Sequence, residues 1–247
     1  MRSWPHSGFS VDNRVYLSPG DTSGLARLAQ YILRRPFSLA RVVRSRCILA
    51  HVRAATQGLA VSEANCHPFT AGRLAFMHNG DLGGFAAIRR RLIGLLSDEA
   101  FSGVRGSTDS EHVFAWFRDR LAEQRGDDAA SRLADAVRDT VRGLVELGRT
   151  LGEDEPSYLN LAVTDGRVAV ASRFTTDAPE NADSLFLNRG RRYVCDGGVC
   201  RMLSPEEGGG AVLVSSEPLS EEPGWETIPV NHLAIVREDR SLELAAV

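Results

Sequence analysis

Residues 47–80 constrain this chain more than any other stretch, because they read as a buried strand, a long polar loop and a second buried strand. Cys47-Ile48-Leu49-Ala50-His51-Val52-Arg53 is apolar until it delivers a histidine and an arginine at its C-terminal end, where layered folds place ligand-facing groups. Leu74-Ala75-Phe76-Met77-His78 breaks into Asn79-Gly80 as it leaves the core. Two apolar strands that each end in donor-rich residues make two walls of one site.

The rest of the chain supplies layers around that stretch. Residues 1–12 have no period, 14–17 read as a short strand, and 23–34 and 39–43 read as helices. A helix over 84–96 carries its apolar stripe on Phe85, Ile88, Leu92 and Leu95, with Arg89, Arg90 and Arg91 on a solvated face. Thr108 and Glu111 have capping-box spacing before an amphipathic helix that uses Val113, Phe114, Phe117 and Leu121, which puts Asp109 in its first turn. A further helix over 128–147 presents Leu133, Val137, Val141 and Leu144, so two helices are expected on one sheet face. From Ser157 the period becomes alternating, with strands at 158–164 and 167–173 joined by a two-residue Asp165-Gly166 turn, and others at 184–188, 211–215, 232–237 and 242–246. Central helices followed by antiparallel strands predict an α+β fold with two sheets and helices outside.

Composition narrows the function classes. The 247 residues show no linker or repeat, so one domain over 1–247 is expected. A net charge of -3 gives no basic field for nucleic acid. No apolar run approaches the roughly 20 residues of a membrane span, and no signal-peptide core opens the chain. A cytoplasmic protein with no nucleic-acid or membrane partner is expected. Cys47, Cys66, Cys195 and Cys200 form no CxxC pair, which favours reduced thiols.

Each polar residue of the central stretch has two readings. The planar guanidinium of Arg53 can grip a carboxylate through two parallel hydrogen bonds, or pair with a loop acid such as Glu63. Asn79-Gly80 can offer a side-chain amide and a backbone N–H to an oxyanion, or simply turn the chain. Asp109 can bind a ligand ammonium, or complement the helix dipole. His51 and His78 read as packed, hydrogen-bonded strand histidines, and no paired-ligand spacing supports zinc.

Taken together these segments resemble one family. His51-Val52-Arg53-Ala54-Ala55-Thr56, Glu63-Ala64-Asn65-Cys66-His67-Pro68-Phe69, His78-Asn79-Gly80 and Ser107-Thr108-Asp109-Ser110-Glu111 occur in the order and approximate spacing of class II glutamine amidotransferases. Ser216-Glu217-Pro218-Leu219 followed by Trp225 resembles the same group, especially stand-alone bacterial members such as the ergothioneine-pathway type, which hydrolyses a γ-glutamyl amide. The resemblance runs from about residue 40 to the end. It implies the four-layer αββα sandwich of N-terminal-nucleophile hydrolases, here lacking its first segment. It also implies that Arg53 binds the glutamine α-carboxylate, that Asp109 and the Gly80 backbone bind the α-amino group, and that Asn79 with Gly80 binds the oxyanion. Thr56 and His67 would shape the pocket. No cofactor is implied.

The family's nucleophile is a cysteine at the mature N-terminus, whose own α-amine can act as the base. Here Met1 is followed by Arg2. A start placed too far downstream, a shortened chain and a natural loss of catalysis each account for that. As written, the chain is expected not to release ammonia from glutamine, since a Cys66-His67 dyad would need adjacent residues of an extended segment to point the same way. Two function classes follow: an amidohydrolase acting on glutamine or a related γ-glutamyl amide through a thioester when an N-terminal cysteine is present, and a pseudoenzyme binding a glutamine-like ligand or a protein partner. Any transfer of ammonia would use a separate synthase subunit.

Overall fold

The computed structural model of the protein describes residues 47, 49, 51, 63–190, 192–196, 199–203, 210–219 and 223–247. The elements expected at 14–17, 23–34 and 39–43, most of the strand at 47–53, and the site residues Arg53 and Thr56 lie outside the described residues.

The alternation of apolar and polar side chains that marks 74–78 and the C-terminal third resolves into strands β1 (Phe69–Ala71), β2 (Leu74–Asn79), β3 (Asn160–Thr164), β4 (Ala169–Arg173), β5 (Phe186–Gly190), β6 (Arg192–Asp196), β7 (Val199–Leu203), β8 (Ala211–Ser215), β9 (Trp225–Thr227), β10 (His232–Val236) and β11 (Leu242–Ala246). Six form an antiparallel sheet in the order β1-β2-β3-β4-β10-β11, three form a second sheet in the order β8-β5-β9, and β6 pairs with β7. Between the large strands run the helices α1 (Phe85–Ile93), α2 (Asp98–Ser102), α3 (Asp109–Glu123) and α4 (Ala129–Thr150).

The large sheet is apolar on both faces, and the two faces differ in side-chain size. One face presents Phe76, Leu161, Val163, Val170, Leu233 and Ile235 to α3 and α4, and the Phe76 ring lies 5.1 Å from Phe114 and 5.7 Å from Phe117. The other face carries a row of alanines, Ala162 opposite Ala171 and Ala171 opposite Ala234, against Leu185, Leu187 and Ile228 on the second sheet's side. Small residues in register let the second sheet approach while its leucines fill the gap. A helix layer, a sheet and a second sheet are therefore stacked in that order, as the α+β reading requires. Among the described residues no helix is long and apolar enough to cross a membrane.

Three local expectations are corrected. The β3–β4 connection is four residues, 165–168, because Thr164 pairs with Ala169. The Thr164 hydroxyl donates to the Val168 carbonyl (2.6 Å) and accepts from the Gly166 amide, closing the wider loop. The capping box is half formed. Thr108 Oγ1 accepts from the Glu111 amide, but the Glu111 carboxylate accepts from the Arg105 and Gly106 amides at 2.7 and 2.6 Å, tying down the loop before the helix. Of the arginine triplet, Arg90 and Arg91 are solvated, whereas Arg89 is half-buried and donates through Nε to His112 Nε2 (3.3 Å). His112 is fully buried and its pKa is lowered, chiefly by desolvation, so the ring is neutral with Nδ1–H donating to the Thr108 carbonyl (2.7 Å).

Candidate active site

β2 ends on Asn79, directly opposite Asn160 at the start of β3. Strand alternation puts Phe76 and His78 on the helix-facing side, so Asn79 and Asn160 share the opposite face. Asn160 is buried, and its Nδ2 donates to the Asp183 and Ser184 carbonyls at 3.4 and 3.2 Å. Among the described residues the Asn79 side chain has no hydrogen-bond partner, which leaves its amide available at the end of the strand.

The chain then turns at Gly80, with φ of 125°, a conformation that L side chains rarely adopt. A Cβ there would fall on the Tyr158 carbonyl oxygen. The segment 81–84 is fastened residue by residue. The Asp81 carbonyl accepts from the Tyr158 amide (2.8 Å), the Leu82 amide donates to Asp109 Oδ2 (2.9 Å), the Gly83 amide to Ser157 Oγ (3.0 Å) and the Gly84 amide to Glu155 Oε2 (3.0 Å).

Asp109 thus meets the turn that follows Asn79. It opens α3 behind the Thr108 cap, its Oδ1 accepts from the Ser110 amide (2.8 Å), and it is only partly buried. The Ser110 hydroxyl also lies 3.4 Å from Oδ1, and a carboxylate with about four lone-pair positions still keeps one for a further donor. Beside the turn, the Tyr158 hydroxyl donates to Asp177 Oδ2 at 2.5 Å, which raises the Tyr158 pKa and lowers that of Asp177. His78 is buried between Ser110 Oγ and the Tyr158 carbonyl, each 3.0 Å from a ring nitrogen.

His67 stands before β1, its ring 4.4 Å from that of His51 and 4.8 Å from that of Phe69. Cys66 is exposed, and neither it nor Cys47 forms a disulfide among the described residues. The structure therefore ties Asp109 to the turn that follows Asn79-Gly80 through the Leu82 amide, and seats His67 in an aromatic group with His51. Sequence reasoning passed over Tyr158 and Asn160, and no spacing signal could have found them, since Tyr158 meets His78 across 80 residues.

Comparison with known proteins places the chain in a family. Residues 25–178 match the family model described as glutamine amidotransferases class-II. The chain belongs to that family. It is 37% identical over 221 residues to the probable glutamine amidotransferase DUG3 of Saccharomyces cerevisiae, covering 83% of this chain and 61% of that protein. It is 26% identical over 205 residues to the gamma-glutamyl-hercynylcysteine sulfoxide hydrolase of Mycolicibacterium smegmatis, covering 81% of this chain and 65% of that one. The chain thus spans somewhat under two thirds of the length of these curated relatives. Among solved structures, a glutamine aminotransferase class-II domain protein from Silicibacter pomeroyi superposes with a TM-score of 0.55 at 29% identity, covering 75% of this chain and 72% of that one. The allosteric regulatory enzyme of purine biosynthesis shares the fold, with a TM-score of 0.50 at 15% identity over 79% of this chain and 34% of that one. The antiparallel sheets and flanking helices are those of the N-terminal-nucleophile amidotransferase fold.

Proposed function

We propose that this protein recognises the γ-glutamyl head group of glutamine, or of a related γ-glutamyl amide, and supports hydrolysis of its side-chain amide. The observation that carries the reading is the convergence of Asp109 with the Asn79-Gly80 turn through the Leu82 amide. Asp109 takes the α-ammonium with help from the Gly80 backbone. Arg53, by its place in the family motif, takes the α-carboxylate, and Thr56 and His67 shape the pocket around the head group. Asn79 and the Gly80 N–H stabilise the oxyanion.

In a form of the protein whose mature N-terminus is a cysteine, its thiol attacks the amide carbonyl after giving its proton to its own α-amine. The carbonyl oxygen becomes an oxyanion held by Asn79 and Gly80, and the protonated amine returns the proton to the leaving nitrogen. Ammonia departs from glutamine, or the corresponding amine from a substituted amide, and a thioester remains. Water then cleaves the thioester, giving glutamate and restoring the thiol. The hydrolase among the relatives supports a water acceptor; delivery of ammonia to another substrate would need a separate synthase subunit.

Charged hydrogen bonds contribute about 1.5–3 kcal/mol each, so loss of either charged contact weakens binding tenfold or more. Calorimetric titration with L-glutamine is expected to show that loss in both Arg53→Ala and Asp109→Asn. Unchanged affinity in both variants of a chain that binds glutamine removes the assignment.

A further inference from the structure

Of the polar side chains buried deepest in this region, His78 lacks a role in the reaction above, yet its two ring nitrogens reach the two halves of the site. The ring is 2% exposed and faces the helices beside Phe76. A carbonyl oxygen can only accept, so the 3.0 Å contact with Tyr158 places a proton on Nε2. The other ring nitrogen, Nδ1, lies 3.0 Å from Ser110 Oγ, a hydroxyl that also lies 3.4 Å from Asp109 Oδ1.

Both partners lead directly into the site. Ser110 follows Asp109, and its amide donates to Asp109 Oδ1 (2.8 Å), the carboxylate whose other oxygen accepts from Leu82. On the other side, the Tyr158 carbonyl is the group against which Gly80 packs, and the Tyr158 amide holds the Asp81 carbonyl. One imidazole therefore stands between the helix start that carries Asp109 and the backbone that shapes the Gly80 turn.

We infer that His78 is a positioning residue, which keeps the ammonium-binding carboxylate and the oxyanion turn in register, one through each ring nitrogen. Its importance for ligand binding rests on the glutamine reading above; its geometric action does not. Loss of the ring would leave the Ser110 hydroxyl and the Tyr158 carbonyl without these partners in a buried place, and each half of the site would relax separately.

Two variants divide the ring. His78→Asn places an amide oxygen near the Nδ1 position and keeps an acceptor for Ser110 while reaching nothing at Tyr158. His78→Gln extends an N–H donor toward the Tyr158 carbonyl and abandons Ser110. Amide hydrogen exchange reports the halves independently, because Leu82 N–H donates to Asp109 and Tyr158 N–H donates to the Asp81 carbonyl. The expected pattern is crossed. In His78→Asn the Tyr158 amide exchanges at least tenfold faster and Leu82 stays protected; in His78→Gln the reverse holds.

L-glutamine affinity, measured on the same samples, is expected to fall in both variants, and by tenfold or more in His78→Gln, which frees the helix start that carries Asp109. Equal loosening of both amides in both variants, or no loosening in either, would overturn the positioning role and leave the glutamine reading intact. A variant too unstable to fold is replaced by Ser110→Ala, which should expose Leu82 and spare Tyr158. A crossed pattern in a parent chain that binds no glutamine would sustain the geometric role and refute the proposed function.

Discussion

Replacing Asn79 with alanine, in a form of the protein that carries an N-terminal cysteine, is expected to lower kcat by about 10²–10³ and to change KM much less. The reason lies in where the strand ends. Alternation along β2 turns Asn79 onto the face away from the helices, where its amide has no partner among the described residues. A donor left uncommitted in this way is free to meet charge that develops on a carbonyl oxygen. Its cross-strand neighbour Asn160 cannot substitute, since its amide nitrogen already serves the Asp183 and Ser184 carbonyls. Steady-state kinetics against glutamine decide the point. A rise in KM with normal kcat would make Asn79 a ground-state contact and leave the oxyanion without a side-chain donor.

The second large effect concerns Gly80. Gly80→Ala adds a methyl group where the Tyr158 carbonyl oxygen lies, at a φ of 125° that alanine resists. The clash and the strained backbone together cost roughly 3 kcal/mol. In a domain of this size that lowers Tm by roughly 6–12 °C. Glutamine affinity should be lost as well, because relief requires the turn to move away from Asp109. Gly72→Ala is the control, since φ there is also positive, 57°, but nothing lies within 4 Å of the added carbon. It should cost only about 1 kcal/mol and leave binding unchanged. Equal losses in the two variants would show that close approach to Tyr158 plays no part.

Much of this arrangement can be read from local pattern. The apolar stripes of α3 and α4 specify which sides of the helices meet the sheet, and Thr108 marks the start of α3, which is why Asp109 falls in its first turn. Asn79-Gly80 stands out because an apolar strand ends there. Other features depend on pairings that no local pattern encodes. Nothing near Glu111 distinguishes a carboxylate that folds back on its own cap from one that anchors Arg105 and Gly106. The Ala162, Ala171 and Ala234 row becomes visible only when three strands, separated in sequence, are set in register. His78 looks like packing until Tyr158 arrives from a distant strand. The burial of residues 110–117 all round α3 likewise reflects neighbours on every side, where the sequence showed only a single stripe.

One corner of the molecule, where β2 leaves the sheet and α3 begins, is proposed to bind an α-amino acid head group. The most direct measurement is a ¹H–¹⁵N correlation spectrum of the protein titrated with L-glutamine. Saturable shifts are expected to concentrate at the amides of Gly80, Leu82 and Ser110, and to disappear in Asp109→Asn. Saturable shifts confined instead to the cleft beside β1 and α3, at Thr70, Arg105 and Ala115, would contradict it, as would a spectrum that glutamine leaves unchanged.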